Sequence, residues 1–334
     1  MNFLSVGNTL AAVRTSTGVT LFHVVEKAST GSTSINMLKS VDASFHSLRP
    51  QPHIPVPFIS PSTRIAAHAI GPHSIALYYQ TRAGSIERLV VAGEGHHSRA
   101  RPSDVVISEG TPTAPMPGTS LASTGFSTPS VTLEFLFYQA IDERIYCVHQ
   151  NLRHPRRGWS VPSQVSQEKF PAPPSLLAFH WTEKYHDTSD CIGVALNARG
   201  SCFAVYALKQ FRSYLEGIVH RPAFRNLIRQ EMSFRGPFAG LRLSPSASAT
   251  EFRFYGQYTT TSIAQFTVRC DASNSQPPQT YVRTLGGDSH DGRAVRHNDG
   301  PRPTMNGPLA IINRAKHYGM KPGTSSVPLL FHNP

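Results

Sequence analysis

The stretch Ser74-Ile75-Ala76-Leu77-Tyr78-Tyr79-Gln80-Thr81-Arg82-Ala83-Gly84-Ser85-Ile86-Glu87-Arg88-Leu89 reads as two strands joined by a tight turn. Its flanks are rich in β-branched and aromatic residues, which suit a pleated sheet. Between them Thr81-Arg82-Ala83-Gly84 offers a glycine where a hairpin needs positive φ. Upstream, Ile65-Ala66 opens a further strand, so the unit is an antiparallel meander.

The same unit recurs along the chain. An apolar residue followed by Ala opens each copy, at Leu10-Ala11, Ile65-Ala66, Leu121-Ala122, Leu177-Ala178, Phe238-Ala239 and Leu309-Ala310, at intervals of 55, 56, 56, 61 and 71 residues. Near-equal spacing of this kind marks a repeat architecture, and the longer intervals are absorbed as loop insertions. Middle strands are expected at 19–25, 75–80, 133–139, 192–197, 252–257 and 327–333, and third strands at 34–38, 85–91, 144–149, 201–208 and 262–269. Outer strands are faint, with candidates at 105–108 and 159–161, and 214–219 fits either an outer strand or a helical insertion.

A small meander cannot bury both faces alone. Radial arrangement buries neighbouring units against each other and leaves short edges. The expected fold is therefore an all-β, six-bladed β-propeller of three- to four-stranded antiparallel blades forming one domain over 1–334, with repeats at 8–60, 61–117, 118–173, 174–234, 235–305 and 306–334. A β-solenoid, the competing repeat architecture, would have a shorter period. The sixth blade is expected to be incomplete, because the chain ends inside its second strand, and 273–308, rich in Gly, Pro, Asn and His, is expected to form a long mobile loop.

Lysine and arginine total 32 against 20 acidic residues, a net charge of +12. That permits long-range attraction to nucleic acid or acidic glycans. Many arginines stand in connections such as Arg153-His154-Pro155-Arg156-Arg157, where a solvated loop is the preferred explanation. No apolar run is long enough to cross a bilayer as a helix. The opening Met1-Asn2-Phe3-Leu4-Ser5-Val6 has no basic segment followed by a long apolar stretch, which predicts a cytoplasmic protein or unconventional export.

The four cysteines, Cys147, Cys191, Cys202 and Cys270, fit neither a disulfide framework nor a zinc motif. With a turn at 197–200, Cys202 would face Ala195 and Cys191 would face Tyr206, out of register for a bridge. Buried free thiols are expected. His96-His97, His290 and His297 lie in polar loops without carboxylate or thiol ligands at useful spacing, so no metal site and no cofactor are expected. A nucleophile elbow, a phosphate-binding loop and a zinc-protease motif are all missing, and the sequence predicts a non-enzyme.

The motif quoted at the outset resembles the blade repeat of the fungal fucose-specific lectins, the Aleuria aurantia lectin family. Leu136-Phe137-Tyr138-Gln139, Arg144-Ile145-Tyr146 and Gly158-Trp159-Ser160 look similar in the third unit. The resemblance implies a six-bladed propeller binding fucose between blades. An Arg of the second strand, a Glu of the third and an aromatic ring from the neighbouring blade would make each pocket. Arg and Glu suit vicinal hydroxyls, and the ring suits the apolar sugar face.

Aligned by motif, the expected Arg falls on Thr20, Ala76, Phe135, Gly193, Arg253 and Pro328, and the expected Glu on Met37, Arg88, Cys147, Ala204 and Gln265. Only the fifth unit keeps the arginine, with Gln265 as hydrogen-bonding companion. Tyr255 and Trp159 are the candidate rings. The expected function is lectin-like binding of fucosylated or related glycans through degenerate sites. The alternative is a non-catalytic propeller scaffold for protein or nucleic-acid partners, or other anionic polymers, that has lost sugar binding.

Overall fold

A computed structural model describes residues 10–286 except 16–17, 28–31, 41–48, 52–53, 55, 57, 93–98, 101–103, 128–131, 155–157, 184–188, 199–201, 209–222, 231–237, 246–248, 258–262 and 272–278. Five antiparallel sheets follow one another, each a meander of neighbouring strands. Blade 1 contains Leu10–Thr15, Gly18–Lys27, Ser32–Ser40 and Arg49–Pro50. Blade 2 contains Ala66–Gly71, Ser74–Gln80 and Ile86–Ala92, with Asp104–Ile107 and the short Arg99–Ala100 both on its outer edge. Blade 3 is built from Leu121–Ser127, Thr132–Gln139, Ile145–Asn151 and Ser163–Gln164. Blade 4 uses Ser175–Glu183, Ser189–Ala198, Cys202–Leu208 and Arg225–Gln230, and blade 5 Phe238–Pro245, Ala249–Gln257, Ile263–Asp271 and Gln279–Gly286. The expected sixth unit lies outside the described residues.

Successive first strands lie beside each other, so the blades stand face to face. This explains why the middle strands lack simple polar alternation. In Thr132–Gln139, Leu133, Phe135 and Phe137 pack toward blade 4 while Leu136 and Tyr138 pack toward blade 2. A strand covered on both faces reads as a nearly continuous apolar run. Four apolar layers result, one in each gap between consecutive described blades.

The Tyr-Gln ending of the middle strands is part of this framework. Gln80 is buried; its side-chain nitrogen donates to the carbonyls of Gly84 and Met116, and its oxygen accepts from Gly118 N at 2.8 Å. Gln139 likewise donates to Glu143 O and Phe170 O. Each glutamine closes its own hairpin and ties it to the connection leading to the next blade. The expected positive φ at Gly84 is present, at 95°, and Glu143 takes the same place in blade 3 at 70°.

Several local readings change. The outer strand of blade 3 is Ser163–Gln164, not 159–161, and that of blade 4 is Arg225–Gln230; 214–219 lies outside the described residues. Gln279–Gly286, inside the segment expected to be loop, is the outer strand of blade 5. Beyond the turn of blade 4, Leu196 opposes Ala204 and Ala198 opposes Cys202, a register three residues from the expected one. Pairing runs on to Ala198 with Cys202, past the position expected for the turn. Cys147, Cys191 and Cys202 are nonetheless buried thiols outside any disulfide. In blade 4, Leu177 opposes Ala195 and so holds the place that Ala11, Ala66 and Ala122 hold elsewhere; the Leu177-Ala178 anchor is displaced by one residue.

Candidate functional site

Residues directly opposed across antiparallel strands share a sheet face. In blade 5, Tyr255 opposes Gln265 and Arg253 opposes Thr267, so Arg253, Tyr255, Gln265 and Thr267 lie on one face. Phe252, Phe254, Phe266 and Val268 occupy the other and pack against blade 4. Apolar burial thus fixes the direction of the polar set: strand alternation sends it away from blade 4. Arg253 is partly buried, and its Nε lies 2.5 Å from Glu251 Oε1, two residues away on the same strand face. Gln265 donates from Nε2 to Thr267 Oγ1 at 2.8 Å.

Trp159 does not join this set. Its ring packs edge-on against Tyr78 in the gap between blades 2 and 3, with centroids 6.0 Å apart. Tyr255, by contrast, stands across the strand pair from Gln265 and is 8% exposed.

The corresponding places on the other blades all face the following blade and are buried. Thr20 and Met37 lie between blades 1 and 2, Ala76 and Arg88 between 2 and 3, and Phe135 and Cys147 between 3 and 4. In blade 4 the third-strand place belongs to Val205, which opposes Ala195; Ala204 turns toward blade 3. Gly193 has no room for a side chain. A Cβ there would stand 2.6 Å from Phe179 Cζ and 2.9 Å from Trp181 Cζ3.

The gap between blades 2 and 3 holds a charged pair that sequence alignment did not isolate. Arg88 Nε lies 2.7 Å from Glu134 Oε2, and its Nη2 donates to Glu134 Oε1 at 2.9 Å. Both side chains are buried, while Asp104, 3.6 Å from Arg88 Nη1, is exposed. Burial raises the Glu134 carboxyl above its usual range despite the guanidinium beside it. His68 Nε2 lies 3.7 Å from Glu134 Oε1. Burial, reinforced by Arg88, pushes His68 down to about 3, so its imidazole is neutral and the approach is packing, not an ion pair. Gly125 makes room for that ring, since a Cβ would meet His68 Cδ2 at 2.7 Å. The signal for this cluster lay in Arg88 standing where the lectin pattern has Glu, together with an acidic residue in an otherwise apolar strand.

Among the described residues no group of three or more His, Cys, Asp or Glu could hold a metal ion. His96-His97, His290 and His297 lie outside them. No described helix is long and apolar enough to cross a membrane.

No protein-family description and no curated protein matches the chain. Solved structures do. The chain is similar to the SapL1 lectin in complex with α-methyl fucoside, at 14% identity and TM-score 0.52, over 77% of this chain and 75% of that one. It is also similar to AofleA from Arthrobotrys oligospora, at 13% identity and TM-score 0.53, over 80% and 68% of the two chains. A third is the Aleuria aurantia lectin, described as a six-bladed β-propeller with a novel fucose recognition mode, at 15% identity and TM-score 0.51, over 81% and 77%. The five described blades share the β-propeller fold of these structures, which in the Aleuria aurantia lectin has six blades.

Proposed function

We propose that the protein is a non-enzymatic, carbohydrate-binding propeller that takes a fucosylated or related glycan on the outward face of blade 5. The observation that carries this reading is the convergence of Arg253, Gln265 and Tyr255 on one sheet face. Their chemistry suits a sugar: guanidinium and amide address hydroxyls, and an aromatic edge addresses C–H groups. Blades 1 to 4 put Thr20, Ala76, Phe135 and Gly193 at the arginine place, in tightly filled gaps. Working sites are therefore fewer than blades. A glycan array with Arg253→Ala as control tests the reading: fucosylated glycans retained by the parent and lost by the variant support it, whereas no retention, or retention indifferent to the substitution, removes it.

The four filled gaps favour a second reading, a propeller kept as an interaction scaffold after its sugar sites closed. Salt-dependent retention on an anionic matrix, without retention on fucosylated resin, would favour the scaffold.

A further inference from the structure

We propose that the outward face of blade 5 selects saccharides carrying a sulfate or carboxylate group; this rests on the carbohydrate-binding reading above and names its ligand class. Three arginines share that face. Arg283 opposes Gln265 across the outer strand pair, Arg253 opposes Thr267, and Arg269 opposes Glu251. Glu251 already answers Arg253. Arg269 and Arg283 are exposed, and no described acid forms an ion pair with either. Arg269 and Arg283 therefore present positive charge to solvent, beside the buried Tyr255 and Gln265.

The register gives that charge a place relative to a sugar. Tyr255, Gln265 and Arg283 form one row across three strands, and Arg253 with Thr267 forms the next. Neighbouring strands lie about 4.8 Å apart and same-face rows roughly 6.7 Å apart, so this block has the footprint of one or two sugar rings. A ring seated against exposed Arg283, at the margin of the buried Gln265, has Arg253 diagonally behind it. A guanidinium fork matches the paired oxygens of sulfate or carboxylate, and its charge strengthens those hydrogen bonds. Exposed arginines without an acidic partner among the described residues, beside neutral hydrogen-bonding groups, suit an anionic substituent better than an uncharged hydroxyl.

Charge alone would also attract nucleic acid, but single strands are held by bases stacking on accessible rings. Tyr255, on this face, is only 8% exposed.

The test is titration of the full chain with a fucosylated oligosaccharide, its monosulfated counterpart and a single-stranded oligonucleotide, at low and high salt, for the parent, Arg269→Ala and Arg283→Ala. The sulfated probe should bind about tenfold more tightly than the neutral one at low salt, and Arg283→Ala should remove about fivefold of that affinity, with a smaller loss for Arg269→Ala. Equal binding of the two saccharides would overturn the charge selection and leave the lectin reading standing. Failure of both saccharides to bind would overturn both. Oligonucleotide binding as tight as that of the sulfated sugar would also overturn the proposal, by showing attraction to any polyanion. Because both arginines are exposed, folding of the variants is expected to be intact, and circular dichroism checks it.

Discussion

Two gaps between blades, alike in geometry, are sealed by opposite chemistry. Between blades 4 and 5, Phe179, Trp181, Phe203, Phe252, Phe254 and Phe266 interlock, with Phe179 centroids 5.4 Å from both Trp181 and Phe252. Between blades 2 and 3, the apolar layer encloses Arg88 with Glu134, flanked by neutral His68 and by Tyr78. Each gap needs a glycine opposite a ring: Gly193 under Phe179 and Gly125 under His68. The propeller thus requires that a gap be filled and leaves open what fills it. An aromatic seal gains from every ring it buries, whereas an ionic seal depends on both partners remaining together, because desolvation offsets much of the attraction.

That difference can be broken by deleting one partner. Glu134→Ala should cost about 3–5 kcal/mol in chemical denaturation, because a buried guanidinium loses its buried partner and keeps only the exposed, more distant Asp104. The double replacement Arg88→Met with Glu134→Leu should recover most of the loss. If the double variant is as unstable as the single, the pair contributes more than filling.

Acid sharpens the contrast next. His68, held at about 3 by burial, and His149, held at about 4 by burial, stay neutral in the fold but protonate near 6.5 when unfolded. The unfolded chain then binds more protons, so stability is lost as pH falls from about 6.5 toward 4, by on the order of 3 kcal/mol for each histidine. Glu134 is raised in the fold and works the opposite way over its own range. Comparing the parent with His68→Leu in pH-dependent denaturation isolates the histidine: the variant should show the shallower acid loss. Hydrogen exchange should show amides of blades 2 and 3 losing protection in acid before those of blades 4 and 5.

Smaller effects come from the glycines. Gly193→Ala and Gly125→Ala should each cost about 1–3 kcal/mol, since a ring in a filled gap must move. The cost at Gly193 should be the larger, with three ring atoms within 2.9 Å against one firm clash at Gly125. Thermal denaturation measures the order. Smallest of all, Arg283→Ala should change stability by less than about 0.5 kcal/mol, leaving its effect visible only in ligand binding.

Legibility in the sequence followed burial. The middle strands of blades 1 to 5 were readable because both faces are covered and demand apolar, β-branched or aromatic residues. Outer strands were not: Ser163–Gln164 is only two polar residues, and Gln279–Gly286 follows a loop-like run. The blade 4 hairpin deceived by its glycine, because turn chemistry fixes register only when the loop length is known. At the candidate site, Arg253 and Gln265 were visible through their places in the repeat, and Tyr255 came with them by alternation. Trp159 was a ring of the right kind on another blade. Arg88 was visible only as a departure, since its partner comes from the next blade.

By itself the sequence determined the repeat, its period and the covered strands, because each recurs as local chemistry within a single unit. Tertiary structure alone decided which faces meet, and therefore that Arg88 pairs with Glu134, that Gly193 yields to Phe179, and that the arginines of blade 5 share one outward face. The physical reason is that a gap between blades belongs to two units at once. Its contents are settled by volume and charge across the gap, which no single repeat encodes.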